Sequence, residues 1–203
     1  MKVLYLDTKS KKKIILSETE IASLPKKLVL AYTIQYKDSV QDIKDLLEKN
    51  KIHVVSVSQV LGCTQLNTKH PVLLIGSGLF HAKNLYLQCP EIYVLEGRKV
   101  IKIPRSEIES VAKKRKTALL KYLHAENVGI LVTTKPGQEN LKLAKRLKKK
   151  IQSQGKNVYL FLSNNIDVSQ FENFAIDCFV NTACLGLFND NTKIINYAQI
   201  PKN

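Results

Sequence analysis

The chain has 203 residues, 44% of them hydrophobic and 24% charged, a globular balance that excludes a disordered or low-complexity protein and is enough for one large domain or two small ones. The net charge of +15 favours polyanions as partners. No apolar run approaches the roughly 20 residues of a membrane helix, and MKVLYLDTKSKKK turns basic after one short apolar stretch, so neither a signal peptide nor a membrane partner is expected and the protein reads as soluble and cytoplasmic.

In chain order, VLYL and KIILS read as short strands, and SETEIASLP as a helical turn ended by Pro25. LVLAYTI is a continuous apolar run of the kind a buried strand shows. DSVQDIKDLLEKN is an amphipathic helix with Val40, Ile43, Leu46 and Leu47 on one face and Asp38 or Ser39 as its N-cap. IHVVSV is the next strand, and the loop QVLGCTQLN follows it. PVLLIGSG is a strand running into glycines, FHAKNLYLQC a short helix, EIYVLE a strand, and KVIKIP closes this half.

The second half opens with the helix SEIESVAKKRKTALLKYLHAE, where Ser106 and Glu109 have capping-box spacing. NVGILVTT is a buried strand turned by KPGQ. ENLKLAKRLKKKIQSQ is a helix stopped by Gly155. NVYLFLS is a strand, VSQFENF a short helix, DCFVNTAC a strand running into a second cysteine loop, and KIINYAQI is strand-like. This alternation implies an α/β protein of two small domains of similar plan, residues 1–103 and 104–203, each a parallel sheet flanked by helices. Each half is expected to hold a strand–helix–strand and a strand that ends in a cysteine loop.

In open parallel sheets, ligands bind beyond the carboxyl ends of the strands. Four such loops stand out: VSVSQVLGCTQ, LLIGSGLFH, LVTTKPGQE and FVNTACLGL. GSGLFH lacks the full dinucleotide fingerprint, and TTKPGQE lacks the Walker ending, so each by itself reads as an ordinary turn. His81 by itself reads as a helix-start histidine without a task. Of the four cysteines, Cys89 and Cys178 sit in apolar surroundings and read as small core hydrophobes, whereas Cys63 and Cys184 sit in strand-end loops where a thiolate can be exposed. No C-x-x-C occurs, so a zinc knuckle is not expected. The lysines fall mostly in helical stretches and read first as solvated faces. Nucleic acid stays open as a partner, although no base-stacking motif accompanies the charge.

Taken in order, QVLGCTQ, GSGLFH, TTKPGQE and FVNTAC, with YTIQY before them, resemble the diphthamide synthase family, the 2-(3-amino-3-carboxypropyl)histidine synthases. The resemblance covers almost the whole chain and matches the family's second and third domains. It implies a 4Fe–4S cluster held by one cysteine from each of three similar domains, here Cys63 and Cys184 as metal ligands. It implies S-adenosylmethionine bound at the open iron and cleaved to a 3-amino-3-carboxypropyl radical, which adds to a histidine of translation elongation factor two. The weaker candidates for lining the S-adenosylmethionine cleft are Gly76, Gly78, His81, Thr134, Lys135, Gly137 and Gln138, with Lys135 facing the methionine carboxylate on grounds of charge. Two features depart from the family pattern. Met1 leads straight into what matches the start of the second domain, and Cys184 is followed by Leu185 and Gly186 where the family carries proline and arginine. The expectation is therefore a split enzyme, completed by a separate chain that carries the N-terminal domain and the third cysteine. An accessory subunit of a full-length synthase and a basic RNA- or nucleotide-binding module are the alternatives. In an enzyme of this kind, the basic charge would speed docking of the translation factor.

Overall fold

The computed structural model describes residues 8–11, 14–184 and 191–201. The chain divides into two compact units, one ending at Ser110 and the other beginning at Val111. In the first, α1 (Glu18–Ala22) precedes β1 (Lys27–Tyr32), α2 (Val40–Lys49), β2 (His53–Gln59), β3 (Val72–Ile75), α3 (Phe80–Leu85), β4 (Ile92–Glu96) and β5 (Lys99–Lys102). The helix α4 (Arg105–His124) follows, then β6 (Asn127–Thr133), α5 (Leu141–Gln152), β7 (Asn157–Ser163), β8 (Cys178–Asn181) and β9 (Ile194–Asn196).

The first sheet has the order β2-β1-β3-β4-β5 and the second β7-β6-β8-β9. Both are wound alike: the second strand in sequence lies on one side of the first, and the third and fourth lie on the other. The α/β reading with two similar units holds. One strand departs from it, because β5 runs antiparallel to β4. Glu96 pairs with Lys99 across Gly97 and Arg98, and Gly97 has φ +63°, so a tight hairpin replaces the helical crossover that a parallel strand would need.

The central strands explain themselves. Val72, Leu73, Leu74 and Ile75 of β3 are all fully buried, as expected where a parallel strand is covered on both faces. Edge strand β2 instead buries Val54 and exposes Val55 and Val57. On α2, Val40, Ile43 and Leu47 are buried in the core with Leu28, Leu30, Leu73 and Ile75 of the sheet, and Leu46 packs at its margin. In the second unit, Ala118 and Tyr122 of α4 and Ala144 and Ile151 of α5 share one cluster with Val128, Ile130 and Val132 of β6. Both helices therefore cover the same face of that sheet. The other face is covered by phenylalanines and a 3-10 turn, Val168–Phe171, where the sequence suggests a short helix.

Several local expectations need correction. Within KIILS, residues 14–17 form no strand: Ile15 N–H donates to the Gly97 carbonyl, and Leu16 is buried in the core. The VLYL segment lies outside the described residues. Ser39 stands at the start of α2 without a side-chain capping bond, because a 3-10 turn, Ile34–Ser39, leads directly into the helix. Ser106 and Glu109 form no capping box. The helix starts one residue earlier, Pro104 O accepts from Glu107 N and Ile108 N, and the Glu109 carboxylate takes the Arg105 Nε at 3.0 Å. Finally, the two cysteine loops are not counterparts. Cys63 follows the second strand of its sheet, and Cys184 follows the third of its own. No helix among the described residues is long and apolar enough to cross a membrane.

Candidate functional site

In the first unit, the chain leaves β2 beside the end of β1, where Val60 N–H donates to the Tyr32 carbonyl. The next residues close a tight turn: Thr64 N–H donates to Leu61 O at 3.2 Å, and Leu61 N–H donates to Thr64 Oγ1 at 2.8 Å. Cys63 sits inside this turn and is exposed. The loop is then tied to α3 by Gln88. Its Oε1 accepts from Leu66 N (2.6 Å), and its Nε2 donates to Thr64 O (3.2 Å) and Asn84 O (2.7 Å). Thr68 N–H donates to the Gln88 carbonyl as well. A loop that looks free in the sequence is therefore held by one amide side chain. Gln88 was invisible as a site residue, although its spacing of four from Asn84 on a helical segment places the two on one face.

The glycine turn after β3 lies at the same end of the same sheet. Gly76 is buried, and its N–H donates to Leu95 O at 3.3 Å. Gly78 adopts φ +68°, which favours glycine, and its N–H donates to the Glu96 carboxylate at 3.4 Å. That carboxylate already occupies the Gly78 backbone donor. His81 stands in the first turn of α3, half-buried, with its ring edge-on to Phe80 at 5.3 Å between centroids. Burial lowers its pKa from the ordinary value, which keeps the imidazole neutral at pH 7.

In the second unit, β6 and β8 are neighbours on either side of the reversal in strand order, the usual ligand position in such sheets. After β6, Lys135 O accepts from Gln138 N across Pro136 and Gly137, and Gly137 has φ +77°. Proline followed by a positive-φ glycine is the type II arrangement. Thr134 N–H donates to Ser163 O, and Lys135 N–H to the buried Thr133 Oγ1, so the turn is anchored to β6 and β7 while the Thr134, Lys135, Gly137 and Gln138 side of it stays exposed.

The Cys184 loop is held more tightly. Asn181, fully buried at the end of β8, donates from Nδ2 to the Cys184 carbonyl (3.0 Å) and to Asn196 Oδ1 (2.7 Å), and accepts from Ala183 N at Oδ1 (2.9 Å). Thr182 donates from both N and Oγ1 to Leu131 O. Cys184 itself is half-exposed. Residues Leu185 and Gly186, where the family pattern is broken, lie outside the described residues. The signal for Asn181 was present in the sequence: a lone asparagine closing an apolar strand, followed by threonine, is suited to bonding nearby backbone. Replacing Asn181 with alanine is expected to cost about 2–3 kcal/mol, since a buried three-bond hub is lost and its partners are left dry. The check is thermal unfolding together with faster hydrogen exchange at the Ala183 amide. An unchanged exchange rate would contradict this account.

The remaining cysteines are withdrawn from chemistry. Cys178 is fully buried in the β8 core, and burial pushes its thiol up to about 12. Cys89 is half-buried rather than buried. Its Sγ donates to Leu85 O at 3.5 Å, and burial again pushes the thiol up to about 12. Thiolates are what alkylate and ligate, so at pH 8 a maleimide or iodoacetamide should label Cys63 first, then Cys184, and reach Cys89 and Cys178 only on unfolding. Mass mapping of the labelled peptides checks the order, and early labelling of Cys178 would refute it.

Residues 1–194 match the family described as "Putative diphthamide synthesis protein". The chain is 29% identical over 185 residues to the 2-(3-amino-3-carboxypropyl)histidine synthase of Pyrococcus horikoshii, a match covering 81% of this chain and 52% of that protein. It is 26% identical over 171 residues to subunit 1 of the corresponding synthase of Kluyveromyces lactis, covering 75% of this chain and 40% of that subunit. The crystal structure of Dph2 from Pyrococcus horikoshii superposes with a TM-score of 0.74 at 24% identity, over 89% of this chain and 58% of that one, and the structure of that protein with a 4Fe–4S cluster gives the same values. At that identity the superposition speaks to fold. The chain spans about half or less of the length of these curated relatives.

Proposed function

Because this chain belongs to the diphthamide synthesis family, we propose that it is a component of a 2-(3-amino-3-carboxypropyl)histidine synthase and acts together with a separate chain. Cys63 and Cys184 hold a 4Fe–4S cluster, and the separate chain adds the third thiolate. One observation carries this reading: of four cysteines, these two combine solvent access with a pinned strand-end loop, while Cys89 and Cys178 keep their protons to about pH 12. A cluster ligand must be a thiolate, so the donor set fits two ligands. Among the described residues, no three of His, Cys, Asp and Glu gather as a metal-holding group.

When bound, the cluster supplies the electron for cleaving S-adenosylmethionine, whose 3-amino-3-carboxypropyl group goes to a histidine of translation elongation factor two. The tasks of this chain's own residues are to bind and orient. We assign Gly76, Gly78, His81, Thr134, Lys135, Gly137 and Gln138 to the binding of S-adenosylmethionine. Lys135, exposed on a turn whose backbone is fixed, meets the methionine carboxylate. His81, kept neutral by burial, adds no second cation there.

The test is anaerobic co-expression with the candidate N-terminal chain, followed by iron and sulfide assay and by cleavage of S-adenosylmethionine. Cluster and cleavage appearing with the pair, and with neither chain alone, is the expected result. A pair without iron would reject the reading.

A further inference from the structure

We infer that the outward face of α5, braced against α4, forms a docking surface for the phosphate backbone of RNA. The charge of the chain is not spread evenly. Residues 111–156 hold thirteen lysines and arginines against two glutamates, so eleven of the fifteen excess positive charges lie in this segment. The two glutamates of this segment, Glu126 and Glu139, stand in the loops after α4 and before α5, while Glu107 and Glu109 lie at the opposite, N-terminal end of α4.

Both helices bury their apolar sides in the same cluster on the same sheet face, so both turn their remaining faces outward on that side. On α5 the apolar stripe is Leu141, Ala144, Leu147 and Ile151. The exposed stripe is Lys142, Lys145, Arg146 and Lys149, an i, i+3, i+4, i+7 series spanning about 10 Å along the axis. Among the described residues, no ion pair joins any of these four to a carboxylate. On α4, Lys113, Lys116 and Lys121 are exposed as well. The helix C-termini are joined through Lys156, whose Nζ donates to Leu123 O and Ala125 O, and through Tyr122 Oη, which donates to Gln154 Oε1. The surface is therefore a braced plane and not a tail.

Its chemistry selects the partner. Protein interfaces have an apolar, aromatic centre and are depleted of lysine. The outward stripe of α5 has four cations and no apolar residue, whereas α4 exposes Leu120 and Leu123 beside its lysines, so the phosphate contacts are assigned to α5. A row of three ammonium groups and a guanidinium suits phosphates, where each contact releases a condensed counterion. Since no aromatic ring stands in that stripe to stack a base, the binding is independent of sequence. The apolar side of α5 is in the core, so the helix cannot insert into a bilayer.

The test is fluorescence anisotropy of the full chain with a labelled RNA duplex of roughly 20 base pairs, between about 50 and 200 mM salt. The variant with Lys142→Gln, Lys145→Gln, Arg146→Gln and Lys149→Gln should lose more than about tenfold in affinity, and its log–log salt slope should fall by about three. Replacing Lys142, Lys145 and Lys149 with arginine should keep the affinity. Four changes on the other unit, Lys26→Gln, Lys27→Gln, Lys37→Gln and Lys49→Gln, should shift it less than about twofold. Circular dichroism establishes that each variant folds. Equal loss in the control set, or none in the α5 set, overturns the proposal. So does competition by poly-glutamate or phosphatidylserine vesicles as strong as that by unlabelled RNA, which would assign the face to an acidic protein or a membrane. Since the readout involves no cluster, it is independent of the synthase reading.

Discussion

Replacing either Cys63 or Cys184 with alanine is expected to leave the protein folded while iron recovered from the reconstituted pair falls below half and turnover drops more than about 100-fold. The fold makes this a clean experiment. Cys63 is exposed, so trimming its side chain should cost within about 0.5 kcal/mol. At Cys184 the atom that Asn181 holds is the main-chain carbonyl, not the sulfur, so alanine keeps the loop anchored and removes the thiol alone. Cys178→Ala is the opposite control. It trims a fully buried side chain and should cost about 1 kcal/mol, yet leave iron content unchanged. Stability and iron thus move separately in the three variants. Full iron content in both the Cys63 and Cys184 variants would remove them from the ligand set. Loss in the Cys178 variant as well would point to damaged packing instead.

The elements were legible because burial in parallel sheets writes long apolar runs, and VLLI, GILV and CFV announce central strands. The faces of α2 and α5 and the KPGQ turn followed from period and from proline–glycine chemistry. Neighbourhood was not legible. An apolar run does not say which strand lies beside it, so the placing of β2 and β3 on opposite sides of β1, and the mismatch between the two cysteine loops, are set by tertiary pairing that local sequence does not encode. KIILS shows the converse: it has strand composition, but its Ile15 amide finds a hairpin carbonyl and no partner strand. At the site, Cys63 and Cys184 stand out by residue type because a thiol carries chemistry of its own, whereas Gln88 and Asn181 do not. Amides act here by satisfying backbone groups, and that role depends on which loop comes within 3 Å, which local sequence does not encode.

Gly129 is the position where substitution is expected to cost the most stability. Its conformation is not the reason, since its φ lies outside the left-handed range; the space above it is. A Cβ built there would lie 2.6 Å from Phe179 Cδ1, 2.7 Å from Phe179 Cε1 and 2.9 Å from Phe161 Cε2. Phe179 pairs directly with Gly129 across the ladder, and Phe161 lies on the opposite neighbour, β7. The two rings meet edge-on at 5.5 Å, and Phe161 also contacts Phe171 at 4.8 Å and Phe174 at 5.2 Å. This aromatic layer covers the sheet face that α4 and α5 leave bare, and Gly129 is the hollow that lets it settle. Alanine should therefore cost about 1–3 kcal/mol despite its lower chain entropy, and valine more than about 3 kcal/mol. The valine variant should melt roughly 10–20 °C lower. Pairing Gly129→Ala with Phe179→Leu should recover at least about 1 kcal/mol of the sum of the single costs, because the leucine vacates the contested volume. A neutral Gly129→Ala, or strictly additive costs, would contradict the packing account. The same strain reaches the candidate site, since Thr182 hangs the Cys184 loop from the Leu131 carbonyl, two residues along β6 from the glycine. Faster thiol labelling of Cys184 in the alanine variant, with Cys63 labelling unchanged, is the signature that separates a displaced β6–β8 edge from general unfolding.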